Sequence, residues 1–410
     1  MVNKNHPYSY CTTNPNYIDL NKDNEERLIA EASKIRDVEK RRKYLQTQGI
    51  TKEEIELLID QVHFRTKGRD KFPRAAKMRF TRPTLAMASS KEVAEYRTWK
   101  IRQRLGEIKQ ALDVGAGIGG DTIAMALRWP VVAVENDPET AEMLRHNLNV
   151  YEVEQKVTII QGDITELIHS PEFKESLKNL DVVFFDPSRR SEDKRTVKTE
   201  EYIPPLTLVE ELVKLCPNLC AKISPGTDLD RIKYDCDIEV ISNRGEVKEV
   251  DLWFGSLKQS PEKRTIMATK LPEKITLEKQ DAKPPEVSGL GQYLYEPDPA
   301  YIKAGLINTL AEIHTLSALN PHIAYLTANQ LHKTPVMKAF KVVAETSVNP
   351  EEINKKLIEW GIGRVDFKAR GVDIDLKNIH KQINGTGKGK GVIIFTIIGE
   401  EKRAVICQYL

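Results

Sequence analysis

The sequence lacks any long hydrophobic run. A membrane-spanning helix needs about 18 consecutive apolar residues, and no part of this sequence comes near that length. Its polar start, MVNKNHPYSY, also lacks the apolar core of a signal peptide. Cysteines are few and odd in number, which argues against a disulfide framework, and they have neither the pairing nor the histidine neighbours of a zinc site. They are Cys11, Cys216, Cys220, Cys236 and Cys407. We therefore predict a cytoplasmic protein with reduced thiols, no membrane contact and no metal.

The chain also lacks an excess of charge of either sign, since its formal net charge is +2 over 410 residues. Local charge is more informative, because 14 Lys or Arg face only four acids between Phe64 and Lys109. The densest part, FRTKGRDKFPRAAKMRFTRP, interleaves Phe64, Phe72 and Phe80 with eight basic residues. Such a segment can neutralise phosphates while its rings stack on unpaired bases. The alternative is that the rings anchor the segment to a core and the charges are solvated. We favour RNA contact for the segment as a whole and the structural role for any single residue.

Length and apolar patterning predict several domains. A basic, helical N-terminal region covers residues 1–100, with one helix from Asn24 to about Gln48 and a second from Thr51, whose capping box includes Glu54. Residues 101–270 form an α/β domain, and the polar, proline-containing residues 271–291 form a linker. Residues 292–410 form a small α+β domain that begins with a helix over 299–317.

Within residues 101–270, short apolar strands alternate with helical stretches, which predicts a mostly parallel, doubly wound, Rossmann-like sheet. The last strands, in EVKEVDLWFG and RTIMATK, have no helix between them and predict an antiparallel hairpin at the end of the sheet. Near the C-terminus, the loop NGTGKGKG over 384–391 could hold a phosphate or could be a mobile turn, and the sequence favours neither.

A glycine cluster, ALDVGAGIGGDT over 111–122, follows the first predicted strand and opens a helix. Its glycines alone fit a dinucleotide fingerprint as well as other nucleotide loops. Asp113, two residues before Gly115, decides between them, because its carboxylate would repel a pyrophosphate but attract the sulfonium and amino group of S-adenosylmethionine. We therefore predict S-adenosylmethionine as the cofactor.

Two further acids follow the next two strands. Glu135, in VENDP, is placed to accept hydrogen bonds from ribose hydroxyls, and Asp163, in QGDI, from an adenine amino group. A dehydrogenase has no fixed need for the second acid. The complete set of predicted cofactor-binding residues is Asp113, Gly115, Ala116, Gly117, Gly119, Glu135, Asn136, Asp163 and Ile164.

The fourth strand is followed by DPSRR, and ligands of doubly wound sheets bind at such strand ends. This region resembles the class I methyltransferases, which carry Asp, Asn or Ser, then Pro-Pro and an aromatic residue here when the target is a base nitrogen. The resemblance implies catalytic roles for Asp186, Pro187, Ser188 and Arg189. Ser188 replaces the second proline and Arg189 the aromatic residue, so Arg189 either stacks on the substrate or pairs with Asp193 to fix the loop.

The half of the chain from Asp113 to Asp186 is similar to the RNA cap guanine-N2 (trimethylguanosine synthase-like) methyltransferases, in the glycine loop with its GGDT, in VENDP and in QGDI. Nearly the whole chain resembles prokaryotic class I methyltransferases with D-P-x-R-R and a C-terminal THUMP-like domain. The stretches that carry this resemblance are KFPRAAKMRFTRPTLAMASSKEVAEYR, DPSRR, KISPG, EVKEVDLWFG and LYEPDPAYIKAG. The THUMP-like domain implies an RNA substrate.

We therefore predict an S-adenosylmethionine-dependent methyltransferase that modifies a base in RNA, either tRNA or rRNA, with no sign of DNA specificity. One alternative is an RNA-binding or assembly protein that keeps the cofactor pocket without useful catalysis, because the aromatic residue after Asp186-Pro187 is missing. Another is a methyltransferase that acts on a protein or a small molecule.

Overall fold

The structure is a computed structural model that describes residues 22–188, 190–191, 194–195 and 197–410. Arg189, its alternative partner Asp193, and Cys11 lie outside the described residues. The chain divides into two compact units, whose described parts are residues 22–94 with 116–163, and residues 95–115 with 164–410. We call them the first unit and the second unit.

The secondary structure alternates helices and strands in the middle of the chain and is richer in strands toward the C-terminus. The helices are α1 (Lys22–Ser33), α2 (Val38–Gln46), α3 (Lys52–Gly68), α4 (Arg82–Met87), α5 (Lys91–Leu105), α6 (Gly120–Ala126), α7 (Pro138–Val150), α8 (Ile164–Leu167), α9 (Pro171–Ser176), α10 (Val209–Leu215), α11 (Pro299–Lys303), α12 (Ile307–His314), α13 (Pro350–Glu359) and α14 (Leu376–Gln382). The strands are β1 (Gln110–Val114), β2 (Val131–Glu135), β3 (Val157–Gln161), β4 (Leu180–Phe185), β5 (Arg190–Ser191), β6 (Lys194–Arg195), β7 (Leu219–Ile223), β8 (Asp237–Asn243), β9 (Glu246–Trp253), β10 (Ile266–Leu271), β11 (Ile275–Glu278), β12 (Tyr293–Pro297), β13 (Ser317–Asn320), β14 (Ile323–Ala328), β15 (Met337–Thr346), β16 (Ile362–Ala369), β17 (Gly389–Ile398) and β18 (Glu401–Tyr409).

The first unit begins with helices α1 to α3, which bury an apolar core that includes Leu28, Leu45 and Leu58. The prediction of one helix over residues 24–48 is wrong. Two helices form instead, because Asp37 is extended and its side chain caps the N-terminus of α2. The predicted capping box at the start of α3 is present: Thr51 and Glu54 satisfy each other's backbone N–H groups.

The first unit also contains two parallel strands, β2 and β3, with α7 between them. Glu135 pairs with Gln161 at the carboxyl ends of these strands. Helix α7 has Asp137 as its N-cap and Pro138 in its first turn, where a missing N–H costs nothing. The predicted β-α-β rhythm therefore holds in this stretch.

A sheet in the second unit has the strand order β11-β10-β8-β9-β7-β4-β1. Strands β1, β4 and β7 are parallel, and β9 runs antiparallel to both β7 and β8. The predicted hairpin between EVKEVDLWFG (β9) and RTIMATK (β10) does not form, because β9 pairs with a different strand. Strand β9 forms a hairpin with β8 through the turn at Arg244-Gly245, where both φ angles are positive, and β10 instead pairs in parallel with β8.

The stretch predicted as a linker contains strand β11, which pairs antiparallel with β10. The C-terminal part is α+β, with a seven-stranded sheet in the order β13-β14-β12-β15-β18-β17-β16. The helix predicted over 299–317 is two helices, α11 and α12, because Gly305 has a φ of 70° between them. Within the described ranges, no helix is both long and apolar enough to cross a bilayer.

Candidate functional site

In the second unit, the carboxyl ends of β1 and β4 lie side by side, with Asp113 paired to Phe184. Asp113 is only 1% exposed. Just beyond the two strands, the Asp186 N–H donates to the Val114 carbonyl at 2.9 Å, so that the main chain of Asp186 continues the ladder. The structure therefore brings two of the predicted acids, Asp113 and Asp186, to the same strand ends.

Gly115 makes this close approach of the two strand ends possible. Its φ is 83°, a region in which residues with a Cβ are strained. A Cβ at this position would lie 3.3 Å from the carbonyl carbon of Asp186 and closer still to its oxygen. The glycine is thus required both by its backbone angle and by the space beside Asp186.

The Asp186 side chain is partly exposed and is held by a cation that sequence reasoning missed. Lys222 Nζ, on β7, lies 2.6 Å from Asp186 Oδ2, and the lysine side chain is 6% exposed against 23% for the aspartate. Lys222 belongs to KISPG, one of the stretches that carry the family resemblance. That stretch was the only available signal, because an isolated lysine in a buried strand gives no indication of its partner.

The two residues that follow Asp186 are held by packing and by backbone hydrogen bonds. Pro187 is buried, and Ser188 exchanges two backbone hydrogen bonds with Ile203, at 2.8 and 2.9 Å. The Ile203 side chain is 57% exposed beside Ser188. Arg189, the last predicted catalytic residue, lies outside the described residues.

In the first unit, the glycine loop is tied to the end of β2. The Ala116 N–H donates to the Val134 carbonyl at 3.0 Å, and the Gly117 N–H donates to Glu135 Oε2 at 2.8 Å. Glu135 Oε1 accepts from the Asp137 N–H at 3.0 Å. Two backbone donors therefore fix the orientation of this carboxylate, and its remaining lone pairs can accept from a diol.

Burial raises the pKa of Glu135, and the backbone N–H groups of Asp137 and Gly117 act in the opposite direction. The neighbouring predicted residue, Asn136, is exposed. Asp163 follows β3 and is half-buried, and the Gly162 N–H before it donates to the Glu135 carbonyl at 3.1 Å. Asp163 therefore directly follows Gly162, whose main chain is hydrogen-bonded to the end of β2.

Gly119 forms the N-cap of α6 with a φ of 96°. A Cβ there would lie 2.8 Å from Leu144 Cδ1, so the loop packs tightly on α7. Ile164, in the second unit, begins α8 and is 4% exposed. Its side chain is therefore largely withdrawn from solvent.

The donor set fits S-adenosylmethionine chemically. Asp113 and Glu135 are acids at strand ends, and the glycine loop that follows Asp113 contributes no cation. Acids complement the positive charges and hydroxyl donors of this cofactor, whereas a pyrophosphate requires the opposite polarity. The polarity of each of these acids is therefore compatible with S-adenosylmethionine.

Two of the three phenylalanines of the basic segment are buried and therefore do not form a stacking surface. Phe72 and Phe80 are 3% and 0% exposed, with ring centroids 5.9 Å apart. Two of the basic residues are also buried: Arg65 pairs with Glu26 at 2.6 Å, and Arg79 pairs with a second acid of the same helix. For these residues the structural alternative is correct, because packing and ion pairing occupy them.

Other cations of the segment remain on the surface. Lys67, Arg69, Lys77 and Arg82 are exposed, and we call them the exposed basic set. They belong to the first unit. Arg74 is exposed as well, but it donates to a backbone carbonyl of α7 and stacks over Tyr151.

The glycine-rich loop at residues 384–391 is packed backbone against backbone. The Gly389 N–H donates to the Gly361 carbonyl at 2.9 Å, and a Cβ at Gly387 would overlap that same carbonyl. Lys390 lies 3.4 Å from Asp366. The glycines of this stretch therefore have a role in packing, which neither the phosphate-binding prediction nor the mobile-turn prediction included.

Comparisons with known proteins identify two families whose models match parts of this chain. Residues 108–256 match the family model described as RNA cap guanine-N2 methyltransferase, and residues 337–409 match the one described as THUMP domain-like. Relatives in two strains of Mycobacterium tuberculosis, each named an uncharacterized S-adenosylmethionine-dependent methyltransferase, are 27% identical over 337 residues, or 81% of this chain and 88% of theirs. Trimethylguanosine synthase of Schizosaccharomyces pombe is 31% identical over 127 residues, which cover 30% of this chain and 52% of that protein.

A solved structure from Porphyromonas gingivalis W83, whose name assigns it provisionally to the methyltransferases, has the same fold. Its TM-score is 0.76 at 20% identity, and the match covers 95% of this chain and 99% of that one. The predicted fold class is thereby confirmed: a Rossmann-like α/β domain with a helical N-terminal region and a C-terminal THUMP-like domain.

Proposed function

The chain is an S-adenosylmethionine-dependent methyltransferase with a C-terminal THUMP-like domain, and we propose that it methylates a base in RNA, either tRNA or rRNA. The observation that carries the proposal is the match of residues 108–256 to a model described by its RNA substrate. The THUMP-like domain and the exposed basic set support it.

We assign the cofactor contacts residue by residue. Asp113 attracts the amino group of the methionyl part. Gly115, Gly117 and Gly119 let the main chain approach the cofactor without side chains, and Ala116 adds only a methyl group. The ribose hydroxyls donate to Glu135, next to Asn136. Asp163 accepts from the adenine amino group, and Ile164 packs beside the ring.

At the reacting end, Asp186 accepts a hydrogen bond from the target amine and so aims the nitrogen lone pair. Pro187 fixes the turn, and the Ser188 main chain is held by Ile203. Bound S-adenosylmethionine supplies an electrophilic methyl group. Arg189 stays a prediction with two alternatives, contact with the substrate or pairing with Asp193. The catalytic contribution of these residues is positioning, because in-line transfer requires alignment above all.

Calorimetry with S-adenosylmethionine tests the cofactor assignment. Asp113→Ala and Glu135→Ala should abolish measurable binding, because each removes an acid that a cofactor group needs. Asp60→Ala, on the exposed side of α3, is the matched control and should bind like the wild type. Unaltered affinity in both site variants would refute the assignment.

The substrate is tested by deleting the gene and comparing the modified nucleosides of tRNA and rRNA by mass spectrometry. One methylated base should disappear and should return with the wild-type gene but not with Asp186→Ala. The purified Asp186→Ala protein should bind cofactor normally and lose turnover by about 100-fold or more. An unchanged nucleoside profile would contradict the RNA proposal.

Two other candidates give different results. If the protein is an assembly factor that keeps the cofactor pocket, deletion changes no nucleoside although RNA binding persists. If the substrate is a protein or a small molecule, RNA binding is absent or insensitive to salt. Specific binding to single-stranded RNA would instead lower the logarithm of the association constant by about 0.7 per phosphate contact for each unit of log salt concentration.

A further inference from the structure

In the second unit, Asp186 contacts a chain of buried charged side chains that are carried by β7, β9 and α5. Lys222 Nζ lies 2.6 Å from Asp186 and 4.0 Å from Glu249 Oε2, on β9. Arg97, on α5, donates to Glu249 and, at 3.1 Å, to Asp251 Oδ2. The side chains of Arg97, Lys222, Glu249 and Asp251 are 2%, 6%, 4% and 0% exposed. Asp186 is thus the solvent-accessible end of a buried network.

The charges of this network balance if its deepest acid holds a proton. Burial raises the pKa of Asp251 well above its ordinary value, although Arg97 acts in the opposite direction. With Asp251 neutral, the carboxylates of Asp186 and Glu249 are matched by the two cations Lys222 and Arg97. Every charge in the chain then has an opposite neighbour, which is the condition for keeping charges inside a protein.

Stability alone is a weak reason for such a chain. Well-packed apolar residues in place of a buried ion pair often leave a protein as stable or make it more stable. The stretches that carry the family resemblance also meet here: Arg97 comes from the first, Asp186 from DPSRR, Lys222 from KISPG, and both acids of β9 from EVKEVDLWFG. These positions span residues 97 to 251, yet they converge on one carboxylate.

Additional packing fixes the network in place. The Arg97 guanidinium lies 4.3 Å from the centroid of the Phe184 ring, and Phe184 is two residues before Asp186 on β4. Arg97 therefore contacts the strand that carries Asp186 while it holds the acid next to Lys222. Movement of Lys222 away from Asp186 would leave its buried ammonium with Glu249 as its acidic neighbour, at 4.0 Å.

We propose that Lys222 is a positioning residue for Asp186, held in place by Glu249 and Arg97. It occupies Oδ2 and so leaves Oδ1 as the oxygen presented to a substrate N–H. This inference rests on the proposed function, because it gives Asp186 the role of orienting the target amine. It assigns to the network a catalytic use that goes beyond folding.

The test compares methyl transfer by Lys222→Met, Lys222→Arg and the control Lys214→Met, an exposed lysine on α10. The substrate is total RNA from cells that lack the gene, with a methyl-tritiated cofactor. Lys222→Met should lower kcat by about 100-fold, since a carboxylate misplaced by about 1 Å can cost that much. Its cofactor affinity and its KM for RNA should change less than about threefold. Lys222→Arg should recover most of the rate, and Lys214→Met should match the wild type.

A double-mutant cycle separates positioning from a structural role. If Lys222 acts through Asp186, then Lys222→Met combined with Asp186→Ala should be no slower than Asp186→Ala alone. Rate losses that multiply would overturn the inference. Should Lys222→Met fail to fold, Glu249→Gln loosens Lys222 from behind and should lower kcat about tenfold with normal cofactor binding. Wild-type kcat in that variant would equally overturn it.

Failure of the inference and failure of the proposed function give different results. If Asp186→Ala is slow while Lys222→Met has the wild-type kcat, only the role of Lys222 is refuted. If Asp186→Ala is as fast as the wild type, the role of Asp186 is refuted and the inference falls with it. If the wild type transfers no methyl group to RNA, the proposed function itself is refuted.

Discussion

Replacing Gly115 by alanine should damage the cofactor site more than any other small change in the glycine loop. The residue has a φ of 83°, which costs an L-residue about 1 kcal/mol. The added Cβ would also overlap the Asp186 carbonyl, and overpacking of this kind costs about 1–3 kcal/mol. We expect the free energy of unfolding to fall by about 2–4 kcal/mol.

Gly106 provides a control that isolates the overlap. Its φ is 73°, and nothing lies within 4 Å of a Cβ built there, so Gly106→Ala has the backbone strain alone. It should cost about 1 kcal/mol and leave the affinity for S-adenosylmethionine unchanged. Gly115→Ala should weaken that affinity by about tenfold or more, because relief of the overlap separates the ends of β1 and β4.

Urea unfolding and calorimetry measure both quantities. The decisive comparison is between the two alanine variants rather than with the wild type. Equal unfolding midpoints for Gly115→Ala and Gly106→Ala, together with wild-type cofactor affinity in Gly115→Ala, would refute the role given to the close approach of Gly115 and Asp186.

Three further predictions concern other parts of the chain. Burial raises the pKa of Glu135. When the pH is lowered, affinity for S-adenosylmethionine should therefore begin to fall at a pH above the range in which a glutamate usually titrates. Glu135→Gln should flatten that fall. Burial raises the pKa of Cys236 to about 12, so its thiolate fraction at pH 8 is about 10⁻⁴, and mass spectrometry should find it unalkylated in the native protein. Gly387→Ala should lower the unfolding midpoint, whereas Gly399→Ala, with open space at its Cβ, should lower it less.

The cofactor half could be predicted closely because its signals are local. Strand β2 and helix α7 belong to the predicted alternation of strands and helices, and Asp113 and Glu135 lie at the ends of β1 and β2. A strand end and the turn after it are set by neighbouring residues. The type of chemistry at such an end can therefore be inferred from a few consecutive letters.

The surroundings of Asp186 could not be predicted in this way. Lys222 is 36 residues further along the chain, and the pairing of β4 with β7 alone brings it within 2.6 Å. The partners of Arg97 are more than 150 residues away. Periodicity identifies buried positions, but it does not identify which buried charge meets which.

The basic segment shows the same limit and has a quantitative consequence for RNA binding. Acids in α1 neutralise two of its eight cations, and only the exposed basic set and Arg74 remain exposed. Changing all four members of that set to glutamine should therefore reduce the slope of log K against log salt by about 3, at about 0.7 per lost phosphate contact. Filter binding to unmodified tRNA over a range of salt concentrations measures this change. A reduction near 1 would mean that only one or two of the four cations reach phosphate, and no reduction would place the RNA contact elsewhere in the chain.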